Sequence, residues 1–420
     1  MRFISLITII ALAALTFVSQ ATAQDSVILS DGTQVEGEII RELDGNIWLL
    51  EKIGSVEIER FYSRSQISEV VRNAPTASAP TRTREPEAER QTVSGPGVPK
   101  AAVISLEGTV GIQMTAKTLR DILPTLEREL GTDGTGIVVF KINSGGGLLL
   151  EIQRLSDVIH EEYKPRFRVV AWIESAISAA AMTAHCIEEI YFMPRGNYGA
   201  CTGWSGALQA VSGRGLEEVL YAMEKISERG NYDYRIMRAM QISVPLRATI
   251  DDRTGEVSWF QTSDAGEELV NPGSEILTFN SDNAHRYRFS RGTASSLEEL
   301  TELLQVPEIE WVGRVTAERI YPISKAEAEM IRFRENVTED EARLNEYLTN
   351  YNISLNAANG ARDEVRGALV GRARQHLRNI ERMVKRNPNF GLLNFNLTED
   401  EFEFWLEEQD EMLRDIARGP

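Results

Sequence analysis

The sequence Ile142-Asn143-Ser144-Gly145-Gly146-Gly147 decides the fold together with a second run, Ala176-Ile177-Ser178-Ala179-Ala180-Ala181. The first run is a glycine-rich turn that ends an apolar strand, residues 136–140, and leads into an amphipathic helix, residues 148–163. The second run ends the predicted strand 168–173 and places Ser178 at the head of a helix of very small residues. Two strand-to-helix turns of this kind bring backbone N–H groups and a hydroxyl to one point, as acyl-transfer chemistry requires.

The region around these two turns alternates between strand and helix patterns. Strands are predicted at residues 101–106, 136–142, 168–173 and 187–193, with helices at 115–130, 148–163 and 178–186 between them. Such βα units predict a parallel sheet that carries helices on its faces. Ligands of these sheets bind beyond the carboxyl ends of the strands, which is where both turns lie.

Residues 100–313 form the predicted α/β domain, and three segments precede it. Residues 1–23 have the charged start, the apolar stretch and the Ala21-Thr22-Ala23 site of a cleaved secretory signal. We therefore expect a periplasmic or secreted protein cut after Ala23, and an uncleaved N-terminal anchor is the alternative. Short alternating strands in residues 24–72 predict a small β module that resembles an SH3-like barrel. Prolines with almost no apolar neighbours make residues 73–99 a linker.

Beyond residue 240 the sequence predicts further strands and then a charged helical extension, residues 314–420. A strand pair is predicted at 246–250 and 256–261, followed by a strand at 275–279 and a helix at 297–304. Within the extension, Thr338-Glu339-Asp340-Glu341 and Thr398-Glu399-Asp400-Glu401 fit the capping-box pattern, so each is predicted to open a helix.

Composition and charge exclude several classes of partner. The net charge of the 420-residue chain is -18, which argues against nucleic acid or anionic lipid as its main partner. The four histidines show no metal-ligand spacing, and we expect neither a metal nor another cofactor. Cys186 and Cys201 are the only cysteines, and after export they either form a disulfide or remain buried thiols.

Each of the two runs also has an ordinary structural explanation. Three consecutive glycines suit a tight turn between a strand and a closely packed helix, and Ser178 is a natural N-cap for the helix that it heads. A functional site is favoured because both turns occur on neighbouring strands of the same α/β region. Glycine N–H groups at the start of a helix stabilise developing negative charge.

The two runs resemble the site motifs of the Clp protease–crotonase superfamily, which includes signal peptide peptidase A and the NfeD-type serine proteases. Residues 142–148 are similar to its Asn-Ser-Pro-Gly-Gly turn, with Gly145 in the place of the proline. Residues 176–200 are similar to its nucleophile helix, the strand that follows and a Pro…Gly-Ala loop. Residues 276–300 are similar to the closing segment of the NfeD-type domain. The resemblance covers residues 101–313 and implies a Clp protease/crotonase-like core, a superhelix of ββα units.

The resemblance implies that Ser178 is a nucleophile. It also implies an oxyanion hole that is formed by the N–H groups of Gly146 or Gly147 and of Ala179. Where the Clp branch has its histidine base, this chain has Cys201, so a Ser-His-Asp triad is not expected.

The base implied by the resemblance is a lysine, as in the NfeD and signal-peptide-peptidase branches. Lys225 is the first lysine after Ser178. A lysine acts as a base only when it is neutral, which requires burial. Lys225 also has an ordinary explanation as a surface lysine, because Glu224 and Glu228 flank it on one helical turn.

The predicted function is therefore that of an exported serine endopeptidase with a Ser178–Lys225 dyad. By family analogy its substrates are polypeptides, a homo-oligomer is the expected assembly, and a membrane protein is a further candidate partner. The alternative is a catalytically inactive peptide-binding or scaffold protein with the same fold. An acyl-thioester enzyme of the crotonase type is disfavoured, because exported proteins meet little coenzyme A.

Overall fold

The computed structural model describes residues 25–29, 33–43, 46–53, 56–62, 67–72, 97–202, 204–205, 209–210, 212–262, 264–317 and 319–419. These residues belong to two units, Met1–Thr92 and Val93–Pro420. The predicted signal sequence, residues 1–23, lies outside the described residues, as does most of the predicted linker. None of the helices in the described ranges is both long enough and apolar enough to cross a membrane.

The first unit contains a small antiparallel sheet. Its strands are β1 (Asp25–Leu29), β2 (Gln34–Leu43), β3 (Asn46–Ile53), β4 (Val56–Tyr62) and β5 (Ile67–Val71). They are ordered β4-β3-β2-β1-β5 across the sheet, and Val27, Ile47 and Leu49 form its buried core. This five-stranded sheet lies within residues 24–72, and the SH3-like module predicted there stays a prediction.

The second unit begins with alternating strands and helices and ends with helices alone. Its strands are β6 (Lys100–Glu107), β7 (Ile137–Ser144), β8 (Arg168–Ile177), β9 (Glu189–Gly199), β10 (Trp204–Ser205), β11 (Gln209–Ala210), β12 (Pro245–Ile250), β13 (Val257–Phe260), β14 (Glu268–Pro272), β15 (Thr278–Asn280) and β16 (Glu310–Trp311). Its helices are α1 (Ala116–Leu130), α2 (Leu149–Asp157), α3 (Ala179–Ala184), α4 (Arg214–Arg229), α5 (Tyr234–Gln241), α6 (Ser281–Arg286), α7 (Leu297–Leu303), α8 (Lys325–Asn359), α9 (Asp363–Arg386), α10 (Asn389–Phe395) and α11 (Glu399–Arg418).

The main sheet of this unit has the strand order β15-β9-β8-β7-β6-β16. Strands β6 to β9 and β16 run parallel, and β15 at one edge is antiparallel to β9. The predicted α/β class with a parallel sheet is therefore confirmed. Strand β7 is buried along almost its whole length, because structure covers both faces of the sheet.

Side-chain alternation gives the sheet two separate cores. Phe140 and Ile142 of β7 face the core that also contains the alanines of α3. Val139 and Trp172 face the other core, which is covered by α7. Because successive side chains of a strand point to opposite faces, Lys141 lies on the α7 side, away from α3.

The strands that flank Ser178 are longer than the sequence predicts. β8 and β9 continue beyond the predicted ends at residues 173 and 193, to Ile177 and Gly199. Their register shifts between Ile173 and Ser175, and this bulge lets the two strands stay paired up to the Ser178 turn. Helix α2 is shorter than predicted, since a π-helical segment, Val158–Tyr163, follows Asp157.

The helical extension has a core of its own and also reaches into the α/β domain. Val337, Leu344 and Ile380 are buried within the extension, whereas Met330 of α8 is buried in the core of the α/β domain. Helix α8 begins after Ser324, whose side chain accepts the Glu327 N–H.

One of the two predicted capping boxes opens a helix. Thr398 caps α11 and exchanges both hydrogen bonds with Glu401. Thr338 lies inside α8 instead, where its hydroxyl donates to the Arg334 carbonyl at 2.8 Å. The prediction at Thr338 is wrong because the helix already runs through this position from Ser324, so its N–H groups have helical partners and need no cap.

Candidate functional site

The glycine turn between β7 and α2 is held by the backbone of Val110. The Val110 N–H donates to the Gly146 carbonyl at 2.9 Å, and the Leu148 N–H donates to the Val110 carbonyl at 3.0 Å. In this parallel pairing the N–H of Gly147 points away from Val110. A side chain at Gly147 is excluded, since a Cβ there would lie 2.2 Å from the Val110 carbonyl oxygen.

Ser178 occupies a strained backbone conformation between β8 and α3. Its φ is 54° and its ψ is -127°, a region that residues other than glycine rarely adopt. The Ser178 N–H donates to the Gly199 carbonyl at 2.9 Å, while its side chain makes no capping bond to α3. An ordinary N-cap serine has an extended backbone and a hydroxyl bonded to the helix. The N-cap explanation therefore does not account for Ser178.

The two turns meet at Ser178. A Cβ built on Gly146 would lie 2.6 Å from the Ser178 Cβ and 3.1 Å from the Ala179 nitrogen. The φ of Gly146 is 102°, which also favours glycine. These contacts bring Gly146, Ser178 and Ala179 together, and Gly147 follows Gly146 directly in the chain.

The N–H groups at this point differ in whether they already have acceptors. The Gly146 N–H donates to Ser144 Oγ at 3.2 Å. Ala179 is the first residue of α3, and the first turn of a helix leaves N–H groups without helical partners. Within the described part of the chain, neither the Gly147 N–H nor the Ala179 N–H has an acceptor. Of the two glycines, Gly147 is the one with an N–H free for an oxyanion.

The loop after β9 contacts the backbone of Ser178 and carries Cys201. The Cys201 Sγ is 3.6 Å from the Ser178 carbonyl oxygen, and the Cys201 N–H donates to the Met240 carbonyl at 2.6 Å. Cys201 and Cys186 are both free and buried, so the disulfide alternative is not adopted. Burial raises the pKa of Cys201 well above its usual range, which keeps it a thiol and unsuited to act as a base.

Lys225, the predicted base, lies on the outer surface of α4. Its side chain is 47% exposed, and its amine is 4.0 Å from the Glu228 carboxylate. The same amine lies 5.3 Å from the centre of the Tyr221 ring. Among the residues that the structure describes, no hydrogen bond joins the Lys225 amine to the Ser178 hydroxyl. The base assignment stays a prediction.

Two other side chains with basic groups are engaged elsewhere. His185 lies at the end of α3, roughly 10 Å from the head of the helix. Its Nδ1 is 3.1 Å from the Tyr198 hydroxyl, and desolvation lowers the pKa of His185 to about 3. Lys141 is buried on the opposite face of the sheet, where it forms an ion pair with Glu174. Neither residue is placed to take a proton from Ser178.

The loop of residues 108–114, which holds the glycine turn through Val110, carries no sequence pattern that marks it as part of the site. Gly108 and Gly111 bracket this residue, with φ values of 89° and 85°. These two glycines are the only signal that the sequence offers for the loop. The role of these glycines depends on the backbone pairing of Val110 with residues 146–148. No local sequence pattern predicts that pairing.

Comparison with known proteins gives structural neighbours but no sequence family. No protein-family model matches the sequence, and no curated protein matches it. One similar solved structure is a serine-to-alanine mutant of the 1510-N membrane-bound stomatin-specific protease, 13% identical over 52% of this chain and 99% of its own, with a TM-score of 0.36. Another is a lysine-to-alanine mutant of that protease in complex with a substrate peptide, 13% identical over 53% of this chain and 95% of its own, with a TM-score of 0.35. Similarity at this level assigns no activity to this chain.

Proposed function

We propose that the chain is an exported serine endopeptidase in which Ser178 is the nucleophile. The proposal rests on the local structure of Ser178. Its backbone is strained, and its side chain makes no capping bond to α3. Strain of this kind persists only where the surrounding structure imposes it, and it concentrates at active sites. The neighbouring glycine turn, packed against Ser178, adds the N–H donors that acyl transfer requires.

In the proposed reaction the Ser178 hydroxyl attacks a peptide carbonyl carbon and loses its proton to a base. Negative charge that develops on the carbonyl oxygen is stabilised by the N–H groups of Gly147 and Ala179, each of which contributes about 10²- to 10³-fold to the rate. The amine product leaves with a proton, and water then hydrolyses the acyl-enzyme to restore the serine.

Lys225 is proposed as the base on the strength of the family resemblance. Helix α4, which carries it, packs against α3. To act, the amine has to leave Glu228 and become desolvated beside Ser178, because only a neutral lysine accepts a proton. The proposal thus includes a movement of the Lys225 side chain, with or without α4, on substrate binding.

The test measures cleavage of a mixed peptide library by the chain that begins at residue 24, with new termini mapped by mass spectrometry. Wild type is compared with Ser178→Ala and Lys225→Ala, and both variants are expected to lose about 10³-fold or more in rate. Lys117→Ala is the matched control, because Lys117 is also an exposed helical lysine, 2.6 Å from Asp121. Its rate is expected to stay at the wild-type value.

The outcomes separate the nucleophile from the base. Loss of cleavage in Ser178→Ala alone would keep the endopeptidase and reject Lys225 as its base. A folded wild type that cleaves no peptide, and whose Ser178 does not react with a fluorophosphonate probe, would reject the endopeptidase.

A peptide-binding scaffold is the second candidate function, and the exposure of Lys225 favours it. In such a protein the free N–H groups of Gly147 and Ala179 bind a peptide carbonyl without chemistry at Ser178. Fluorescence polarisation with library peptides would then show binding that Lys225→Ala leaves unchanged, without any cleavage.

Export and assembly are proposed from the sequence pattern and the family resemblance. We propose a mature protein that begins at Gln24, assembles as a homo-oligomer and acts on polypeptides, with a membrane protein as a further partner. Expression of the full chain in a bacterial host, followed by N-terminal sequencing of the periplasmic fraction and sedimentation analysis, tests the cleavage and the assembly.

A further inference from the structure

The helical extension contacts the loop that holds the glycine turn. Asn387 and Asn389 lie where α9 ends and α10 begins, and they are 0% and 4% exposed. The Asn387 amide donates to the carbonyls of Gly111 and Ile112, both at 3.1 Å. The Asn389 amide donates to the Gly111 carbonyl at 2.9 Å and to Glu151 at 3.2 Å. Two buried side-chain amides therefore fix one short loop.

The opposite side of this loop is bonded to the glycine turn. Val110, next to Gly111, forms the two backbone bonds that span Gly146 to Leu148. The contact is close, since a Cβ on Gly111 would lie 2.6 Å from Leu148 Cδ1. Because these groups are in direct contact, a shift of the loop at Gly111 moves the turn as well.

Two further attachments tie the loop and its surroundings to the extension. The Ile112 side chain is buried in the core of the extension. Glu151, which follows the glycine turn in the first turn of α2, accepts the Ala116 N–H at 2.7 Å at the start of α1. Asn389 binds Glu151, so the start of α1 and the first turn of α2 are held from the same point.

We propose that Asn387 and Asn389 are positioning residues for the oxyanion hole. They fix loop 108–114, and through Val110 they set where the Gly147 N–H lies relative to Ser178. The catalytic consequence rests on the proposed function, whereas the attachment itself does not. The helical extension is in this way a structural part of the site.

The first test compares Asn387→Ala with Asn394→Ala in the full mature chain. Asn394 is the matched control, because it lies on α10 and its amide donates to the Phe390 carbonyl at 3.1 Å. We expect Asn387→Ala to slow the reaction of Ser178 with a fluorophosphonate about tenfold, since a displaced donor forfeits part of its contribution. Peptide affinity, measured with each change in a Ser178→Ala background, is expected to stay within about twofold. A wild-type labelling rate in folded Asn387→Ala would overturn the proposal.

Hydrogen exchange tests the attachment independently of catalysis. Asn387→Ala is expected to speed exchange at least about tenfold in peptides that contain residues 108–114 and 146–148, because their bonded N–H groups open more often. Unchanged exchange would overturn the inference, whether or not the wild type is an enzyme. Faster exchange in a wild-type background that never labels at Ser178 would support the attachment and reject the endopeptidase. If Asn387→Ala does not fold, Asn389→Ala, which retains both Asn387 bonds, is measured in the same way.

Discussion

Gly145 and Gly146 are neighbours in the chain, but a side chain would meet different surroundings at the two positions. At Gly146, a Cβ would lie 2.6 Å from the Ser178 Cβ on a backbone with φ of 102°. At Gly145, nothing lies within 4 Å of a Cβ. We expect Gly146→Ala to lower the fluorophosphonate labelling rate of Ser178 at least about 10²-fold and to cost about 1–3 kcal/mol of stability.

Labelling kinetics and urea unfolding measure the two effects, with Gly145→Ala as the control. An equal loss in both variants would show that the turn as a whole, and not the contact between Gly146 and Ser178, is sensitive to substitution.

His185 is expected to make stability depend on pH. Its pKa in the folded chain is about 3, against an ordinary value of 6.5, because burial disfavours the charged ring. The unfolded chain therefore binds a proton below pH 6.5 that the folded chain does not bind. The stabilisation by the neutral ring is complete above pH 6.5 and is lost as the pH falls towards 3.

Between pH 7 and pH 5, this group is expected to lower the free energy of unfolding by about 2 kcal/mol. His185→Phe removes that dependence and keeps an aromatic ring beside Phe289, whose ring centre lies 5.8 Å away. His285→Phe, at an exposed position on α6, serves as the control. Urea unfolding at pH 7, 6 and 5 measures the difference. If the free energy of unfolding fell equally with pH in wild type and in His185→Phe, the prediction would be contradicted.

Sequence alone identifies the residue types of the site better than it identifies their roles. Ser178 and the glycines follow from two local turns, and the structure does bring them together. The choice of Gly147 over Gly146 as donor depends on the bond from Gly146 to Ser144, which is a detail of backbone geometry. The surroundings of Lys225 depend on how α4 is rotated, and helical spacing alone does not fix that rotation.

At the scale of the helix and strand, Thr398 and Thr338 begin the same sequence, Thr-Glu-Asp-Glu, but occupy different positions in their helices. Thr398 caps α11, so Thr398→Ala is expected to cost about 1 kcal/mol. Thr338 bonds a carbonyl within α8, and Thr338→Ala is expected to change stability by less than about 0.5 kcal/mol. Urea unfolding of the two variants measures the difference, and equal costs would contradict the assignment of Thr398 as a cap.

The elements themselves were predictable where apolar periodicity is strong. Strands β6 and β7, helix α1 and the starts of β8 and β9 lie close to their predicted positions, because each element buries a regular pattern of apolar residues. The helical character of the chain from residue 324 on was predictable, but a helix start was placed at Thr338 instead of Ser324, since α8 has only a weak apolar stripe. The ends of β8 and β9 were missed because their length depends on a bulge, which arises from pairing and not from composition.

At the scale of the whole chain, the extension is expected to be indispensable to the α/β domain. Ala326 and Met330 of α8 are fully buried in the core of that domain, and the Glu327 carboxylate accepts the Ser105 N–H at 2.8 Å. A chain of residues 93–324 therefore exposes core surface and an unpaired buried donor, and we expect it not to fold.

A chain of residues 93–420 is expected to fold alone, because its cores are built from its own residues. Circular dichroism on heating and limited proteolysis distinguish the two fragments. A cooperative thermal transition in residues 93–324 would contradict the prediction.

The attachment of the extension joins segments that are far apart in synthesis. Ser105 and Glu327 are 222 residues apart, and Gly111 and Asn387 are 276 residues apart. Contacts at such separation form late, because a long loop must close before they can contribute. A growing chain therefore presents Ser178 well before the residues that hold its glycine turn exist. If Ser178 is the nucleophile that we propose, its site stays incomplete during synthesis until the final helices have docked.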